Sequence, residues 1–386
     1  MSKEELYVGR EQTLVKHFIL QKYLERFAHI VGTHWDTLTY ADCFSGPWNA
    51  RSDKFEDSSF GIALNELRKA RDTHVQRGRK LRLRCFFLEK DPEAYDKLDG
   101  FAKGIQDVEI TTRNATLEES VSQITDFVRA GGQKSFPFIF IDPTGWTGFE
   151  MKTIAPLLRL NPGEVLINFM TGHIRRFLQS PQEETQDSFT RLFGSASFRE
   201  KIQGLAQQDR EDAAVREYTI NAKAVGGFNF GCSAVVLHPE MDRTHFNLIY
   251  LTRNPKGVEV FKDAEKKAME VQETARAEAQ QRKRVARRGQ TELFGSRELH
   301  DASHYQSLRD RYLTKTRGLV LQALESKRRL LYDDAWTRAL SEPLCWESDL
   351  KEWIEEWKES GRLEVVGMQP RQRVPHRNEG NYLVWK

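Results

Sequence analysis

The run Phe138-Ile139-Phe140-Ile141-Asp142-Pro143 limits the folds open to this chain more than any other stretch. Four apolar residues without in-out alternation describe a strand covered on both faces, and Asp-Pro ends it abruptly. An earlier stretch has the same form: Tyr40-Ala41-Asp42-Cys43-Phe44 runs into Ser45-Gly46-Pro47-Trp48. Each puts a carboxylate where a buried strand breaks into a turn. That is the carboxyl edge of a sheet, the place where open α/β sheets bind ligands.

Strand and helix signals alternate around these two runs. An amphipathic helix over 11–30 carries Leu14, Phe18, Leu20, Leu24, Phe27 and Ile30 on one broad stripe. Strands are expected at 38–44, 81–89, 108–112, 136–142 and 164–169, with helices between them. Ser58 or Ser59 caps one helix and Pro92 opens another. The pattern predicts an α/β, Rossmann-like sheet with helices on both faces over residues 1–260. Two further strands, 234–237 and 246–252, make an antiparallel closing pair, and Asn254-Pro255-Lys256-Gly257 reads as a turn. Residues 261–304 are poor in large apolar side chains and read as a long, solvated basic helix and linker. Over 305–386, three helices precede a two-stranded hairpin with a basic tip, which is the order of a winged-helix-like domain. Trp353, Ile354 and Trp357 fall at helical spacing and belong to its core.

The chain has 386 residues, with 39% hydrophobic and 11% aromatic content, enough to build sizeable cores without covalent staples. No apolar run reaches membrane-spanning length and the first residues lack a signal-peptide core, so a cytoplasmic protein is expected. Cys43, Cys85, Cys232 and Cys345 stand too far apart for a zinc motif or a disulfide framework. Residues 1–261 carry 34 basic and 35 acidic groups and residues 262–386 carry 25 and 21, so only the last third is mildly basic. That asymmetry permits a polyanionic partner.

A nucleoside at a sheet edge needs a turn free of bulk, an acceptor for the ribose hydroxyls and a partner for the base. Asp42 with Gly46 supplies the turn, Glu89 the ribose acceptor and Asn114 the base contact. Neither G-x-G-x-x-G nor Gly-Lys-Ser/Thr occurs in the turn, which disfavours ligands held by their phosphates. His173, Arg175 and Arg176 follow the 164–169 strand as candidate phosphate contacts. Two other basic groups suit a nucleic-acid backbone: Arg282, Lys283, Arg284, Arg287 and Arg288 on the long helix, and Arg371, Arg373 and Arg377 in the C-terminal hairpin tip.

The ordered motifs Asp-x-Phe-x-Gly-Pro, Phe-Leu-Glu-x-Asp, Phe-x-Asp-Pro-x-Gly and Ile-Asn-Phe-Met resemble those of the three-Cys-motif partner family, TcmP, over roughly residues 7–260. That family is similar in fold to S-adenosylmethionine-dependent methyltransferases, most closely those that modify adenine in ribosomal RNA. The resemblance implies cofactor contacts at Lys16, Asp42, Ser45, Gly46, Glu89, Asp91 and Asn114. It sets Asp142 beside the transferable methyl group and makes Pro143 and Trp146 a stacking wall for a planar substrate. It also implies action on nucleic acid, DNA or RNA, and a partner that is a three-cysteine-motif iron–sulfur protein. Asp142-Pro143-Thr144-Gly145-Trp146 departs from the Asp/Asn-Pro-Pro-aromatic pattern of amino-methyltransferases, and no Pro-Cys nucleophile motif occurs. Two alternatives stay open: a catalytically degenerate adaptor, and a metal-dependent nuclease using Asp42, Glu89 and Asp142.

Overall fold

The computed structural model describes residues 5–46, 50–177, 180, 182–289 and 295–386, with the His173 side chain left out. Pro47 and Trp48 of the first turn, and 290–294 of the expected linker, lie outside the described residues. The chain forms two compact units, one holding Met1–Gly231 and Val235–Leu299, the other Cys232–Ala234 and His300–Lys386.

Seven strands build the central sheet: β1 (Thr37–Asp42), β2 (Arg82–Glu89), β3 (Glu109–Asn114), β4 (Ser135–Ile141), β5 (Glu164–Phe169), β6 (Phe230–Leu237) and β7 (Thr244–Thr252). Their order is β3-β2-β1-β4-β5-β7-β6. β1 to β5 are parallel and β7 is antiparallel to β5. The strand order reverses at β1 and β4, so the crevice at their carboxyl ends is the topological switch point of a Rossmann-like sheet. Register places Asp42 opposite Phe87 and Phe140, and Glu89 opposite Asn114.

Both faces of the sheet are covered, which is why the central strands lack alternation. Ala41, Ile139, Ile141 and Val165 face a core shared with α4 (Leu117–Ala130), α5 (Met151–Leu158) and α9 (Gln207–Gly226). Tyr40 and Phe138 point the other way, where Tyr23 of α1 (Glu11–Val31) stacks on Phe138 and Phe27 meets it at a tilt. A fully buried side chain such as Phe138 contributes roughly 1.5–3 kcal/mol by leaving water. The helix starts follow local chemistry. Ser58 accepts from Gly61 N at 3.1 Å to open α2 (Ser59–Gln76), and Asp91 accepts from Ala94 N at 2.9 Å to open α3 (Pro92–Lys103). Thr116 and Glu119 form a capping box on α4.

The segment after β7 differs from expectation. Asn254 caps Lys256 N at 2.9 Å and Pro255 takes the first helical position, so the apparent turn is the start of α10 (Pro255–Arg288). α10 packs along α1 within the larger unit and is not a solvated linker: Phe261, Ala264, Ala268, Met269, Gln272 and Ala275 are buried. Its inward face also holds a buried Lys262–Glu265 pair at 2.5 Å.

The C-terminal unit runs α11 (Ser303–Lys327), β8 (Arg329–Leu331), α12 (Tyr332–Ser341), α13 (Glu347–Glu359), β9 (Leu363–Val366) and β10 (Tyr382–Trp385). The three strands form an antiparallel sheet, β8-β10-β9. β8 is an element that the sequence pattern does not announce. Trp353, Ile354 and Trp357 are buried in the core of this unit. Several acids of α13 are paired, Asp349 with Arg309, Glu356 with Arg317 and Glu355 with Lys358. Asn381 is fully buried and ties down the basic loop, accepting from His376 N and donating to Gly367 O, both at 2.8 Å.

Candidate functional site

Asp42 ends β1 with no solvent exposure, and among the described residues its hydrogen-bond donors are neutral. Its carboxylate accepts from Ser59 Oγ at 2.6 Å, Phe44 N at 3.1 Å and Tyr40 Oη at 3.2 Å. Burial raises its pKa to about 6, with these hydrogen bonds opposing the rise and the charge of Asp142 adding to it. Ser45 closes the turn as structure. Its hydroxyl donates to Asp42 O at 2.9 Å and accepts from Leu88 N at 3.2 Å, and its N–H donates to Leu88 O at 2.7 Å. The end of β1 is thus fastened to the end of β2.

Glu89, at the end of β2, is buried and accepts from Asp91 N at 2.7 Å. Asn114, on the neighbouring strand end, donates to Glu89 O at 2.9 Å. Asp91 has its side chain on Ala94 N, so its observed part is that of a helix cap. Asp42, Ser45, Glu89 and Asn114 therefore share one edge, held by these hydrogen bonds, and Gly46 follows Ser45 in the same turn.

Asp142 lies one residue past β4 and keeps 13% of its side chain exposed. Lys16 Nζ, from α1, pairs with its Oδ2. Asn168 Nδ2, from β5, donates to its Oδ1 at 2.6 Å. Asn168 Oδ1 is buried and has no partner among the described residues. A buried acceptor left unmatched costs about 1–3 kcal/mol, so this atom is suited to the N–H of a bound group. In the sequence Asn168 is marked only by its place next to the end of a buried strand. The orphaned oxygen is visible only in three dimensions.

Pro143 is buried, and Trp146 is half-buried with its ring against Phe177 and Phe189, at centroid distances of 4.9 and 5.8 Å. Packing on α6 (Thr171–Phe177) and α7 (Glu183–Phe193) thus accounts for the indole, where sequence suggested a wall for a substrate.

The basic groups separate into distinct cases. Arg175 pairs with Glu211 and donates to Thr244 O at 2.6 Å, while Arg176 is exposed. The His173 side chain lies outside the described residues. Arg282 pairs with Glu11, and Lys283 with Glu240 at 3.0 Å, so two of the five basic residues of the expected helix-end cluster are matched by acids of their own unit. Arg284 also has a partner, and Arg287 and Arg288 are exposed. In the C-terminal loop Arg371 and Arg373 are exposed, and Arg377 covers the Trp336 ring at 4.4 Å.

Among the described residues no three His, Cys, Asp or Glu side chains are grouped so as to hold a metal ion. Asp42, Glu89 and Asp142 point their oxygens at separate protein donors instead of converging. All four cysteines are buried, and burial pushes the Cys43 thiol pKa well up, which keeps it unreactive. No described helix is long and apolar enough to cross a membrane.

No family model matches the chain and no curated protein matches it. Among solved structures, a Legionella pneumophila str. Philadelphia 1 protein described by the family model DUF519 is 12% identical. It covers 68% of this chain and 92% of its own, with a TM-score of 0.39. Loganic acid methyltransferase with SAH is 8% identical, covering 67% of this chain and 81% of its own, with a TM-score of 0.32. At similarity this low the sheet order, and not the likeness, defines the fold. Membership of the three-Cys-motif partner family is not established by these comparisons.

Proposed function

We propose that the larger unit binds S-adenosylmethionine at the carboxyl edge of β1, β2 and β3, and uses Asp142 to present an amine of a nucleic acid for methylation. The observation that carries this reading is the Lys16–Asp142–Asn168 cluster at the switch point, with Asn168 Oδ1 buried and unmatched beside Asp142. Two acceptors side by side fit the two N–H groups of an exocyclic amine, and accepting both turns the nitrogen lone pair outward. When bound, the cofactor supplies an electrophilic methyl group. Lys16 fixes the carboxylate, Asn168 fixes its other oxygen, and the Ser45 bonds keep the β1 turn from drifting.

Within the same proposal Glu89 is the ribose acceptor, Asn114 lies near the base, and Pro143 lines the acceptor side. Asp91 acts through the α3 cap. The C-terminal unit, with its helix-strand-helix-helix-strand-strand order, is read as a winged helix whose basic loop, Arg371 to Arg377, meets nucleic acid. An iron–sulfur partner with a three-cysteine motif enters on the resemblance alone.

A non-catalytic adaptor is the second reading, favoured by the Thr144-Gly145 turn and by the closure of Lys16 on Asp142. Calorimetric titration with S-adenosylmethionine separates the two: heat at micromolar to millimolar cofactor supports the enzyme, and no heat leaves the adaptor. Asp142→Ala should lower methyl incorporation into nucleic acid at least roughly a hundredfold and leave cofactor affinity largely intact. Equal loss of both would show that Asp142 holds the cofactor and does not present the amine.

A further inference from the structure

A cavity of about 340 Å³ opens beside the first turn of α6, lined by Gly172, Arg175, Arg176, Gln207, Arg210, Glu211 and Arg243. Four guanidinium groups face one carboxylate, and no aromatic or aliphatic side chain lines it. A lipid tail has no aliphatic or aromatic side chain to pack on there, whereas a phosphate has donors on several sides.

The arginines come from three separate elements, and the packing explains how they meet. A Cβ on Gly172 would lie 2.9 Å from His245 O, so only glycine lets the start of α6 rest against the start of β7. Arg175 then clamps the assembly, joined to Thr244 O of β7 and to Glu211 of α9. This pairing also quenches the single lining carboxylate. Burial pushes the Glu211 pKa up and Arg175 opposes the rise. Among the described residues no carboxylate pairs with Arg176, Arg210 or Arg243. Asp209 and Asp212 flank Arg210 in sequence, but neither lines the cavity.

Position completes the case. α6 begins three residues after Asn168, and Thr171 Oγ1 accepts from Asn247 Nδ2 at 2.6 Å, which fixes the helix to the same sheet edge that carries Asp142. We infer that Arg176, Arg210 and Arg243 form a phosphate clamp that grips the backbone of a nucleic-acid strand next to the Asp142 site. Arg175 is a positioning residue that holds the clamp together. The inference rests on the proposed function for the identity of its ligand, and it adds Arg210 and Arg243, which sequence spacing does not connect to Arg176.

The test uses the full chain and fluorescein-labelled single-stranded RNA and DNA oligonucleotides, read by anisotropy over a salt series. Arg176→Gln, Arg210→Gln and Arg243→Gln should each weaken oligonucleotide binding roughly five- to tenfold near 0.1 M salt and lower the slope of log K against log salt by about one. The triple variant should lose nearly all salt dependence that belongs to this site. These side chains are partly or fully exposed, so the circular dichroism and S-adenosylmethionine affinity of each variant should match the parent.

Wild-type affinity and slope in the triple variant would overturn the clamp. So would variants that lose affinity for inorganic phosphate or for polyglutamate while keeping it for oligonucleotides, since the pocket would then serve a free anion or an acidic protein. The two proposals fail separately. Methyl transfer to nucleic acid with unchanged KM in the triple variant removes the clamp and keeps the enzyme; salt-sensitive oligonucleotide binding without cofactor heat keeps the clamp and removes the enzyme.

Discussion

At the amino edge of the central sheet Glu164 is surrounded by hydroxyls: Tyr23 donates to one oxygen, Thr252 donates to the other at 2.8 Å, and Tyr250 meets Tyr23 at 2.6 Å. At the carboxyl edge Asp142 is held by an ammonium group and a carboxamide, and part of it faces solvent. Space differs as much as chemistry. A Cβ on Gly257 would fall 2.2 Å from Tyr250 Oη, so the Glu164 network is sealed with no room for one carbon more. Beside Asp142 an acceptor of Asn168 remains unmatched. Both carboxylates have lost most of their water, but the Glu164 network is sealed among its hydroxyls, whereas Asp142 keeps part of its side chain exposed next to an unmatched oxygen of Asn168. Burial alone therefore does not separate the two acids; exposure, the charge of the partner and an unmatched neighbour do.

The sharpest way to break this contrast is Glu164→Ala. It removes the acceptor that the buried hydroxyls of Tyr23 and Thr252 share and opens a cavity, so unfolding free energy in a urea titration should fall by roughly 3–5 kcal/mol. Glu164→Gln should cost much less, because hydroxyl donors rotate to suit an amide.

Asp42 gives the next largest effect, through pH. Its folded pKa of about 6 lies above that of an unfolded aspartate, so the folded state binds more protons between the two values and stability declines as pH rises through that window. A lift of about two units corresponds to roughly 3 kcal/mol at most. Denaturant midpoints taken between pH 4 and 7 should show the decline in the parent and flatten in Asp42→Asn. An unchanged slope in the variant would assign the titration to another group.

Asp142→Ala comes third. Lys16 keeps 11% of its side chain exposed and can turn its ammonium toward water, so the stability loss should be about 1–2 kcal/mol, well below that of Glu164→Ala. Equal losses at both positions would erase the distinction between a sealed carboxylate and a poised one.

The smallest effect is expected at Arg282, which is 40% exposed where it pairs with Glu11. Arg282→Ala should change stability by no more than about 1 kcal/mol, and less at high salt. A larger loss would mean that the end of α10 is integral to the packing of the larger unit.

Much of the fold was legible because it is written in local signals. The 164–169 strand agrees with the structure at both ends, and Ser58 and Pro92 mark the helix starts they suggest. Beyond Phe261 and Met269 the inward face of α10 is mostly alanine, Gln272 and a Lys262–Glu265 pair, so a pattern of large apolar residues does not reveal its burial. Asn254-Pro255 carries turn and helix-start signals at once, and only the packing of the following residues separates them. At the site, Asp42, Glu89 and Asp142 could be read from strand ends, whereas the capping duty of Asp91, the Phe177 and Phe189 contacts of Trp146 and the unmatched oxygen of Asn168 depend on neighbours far along the chain.

Sequence by itself determined which residues end the buried strands, because burial preference and turn chemistry act over a few neighbouring positions. Tertiary structure decided what each strand end faces. Lys16 reaches Asp142 across 126 residues, and Arg176, Arg210 and Arg243 meet only after α6, α9 and the start of β7 have packed. Charge pairing and hydrogen-bond satisfaction are set by distances in space, which the folded chain fixes and the order of residues does not contain.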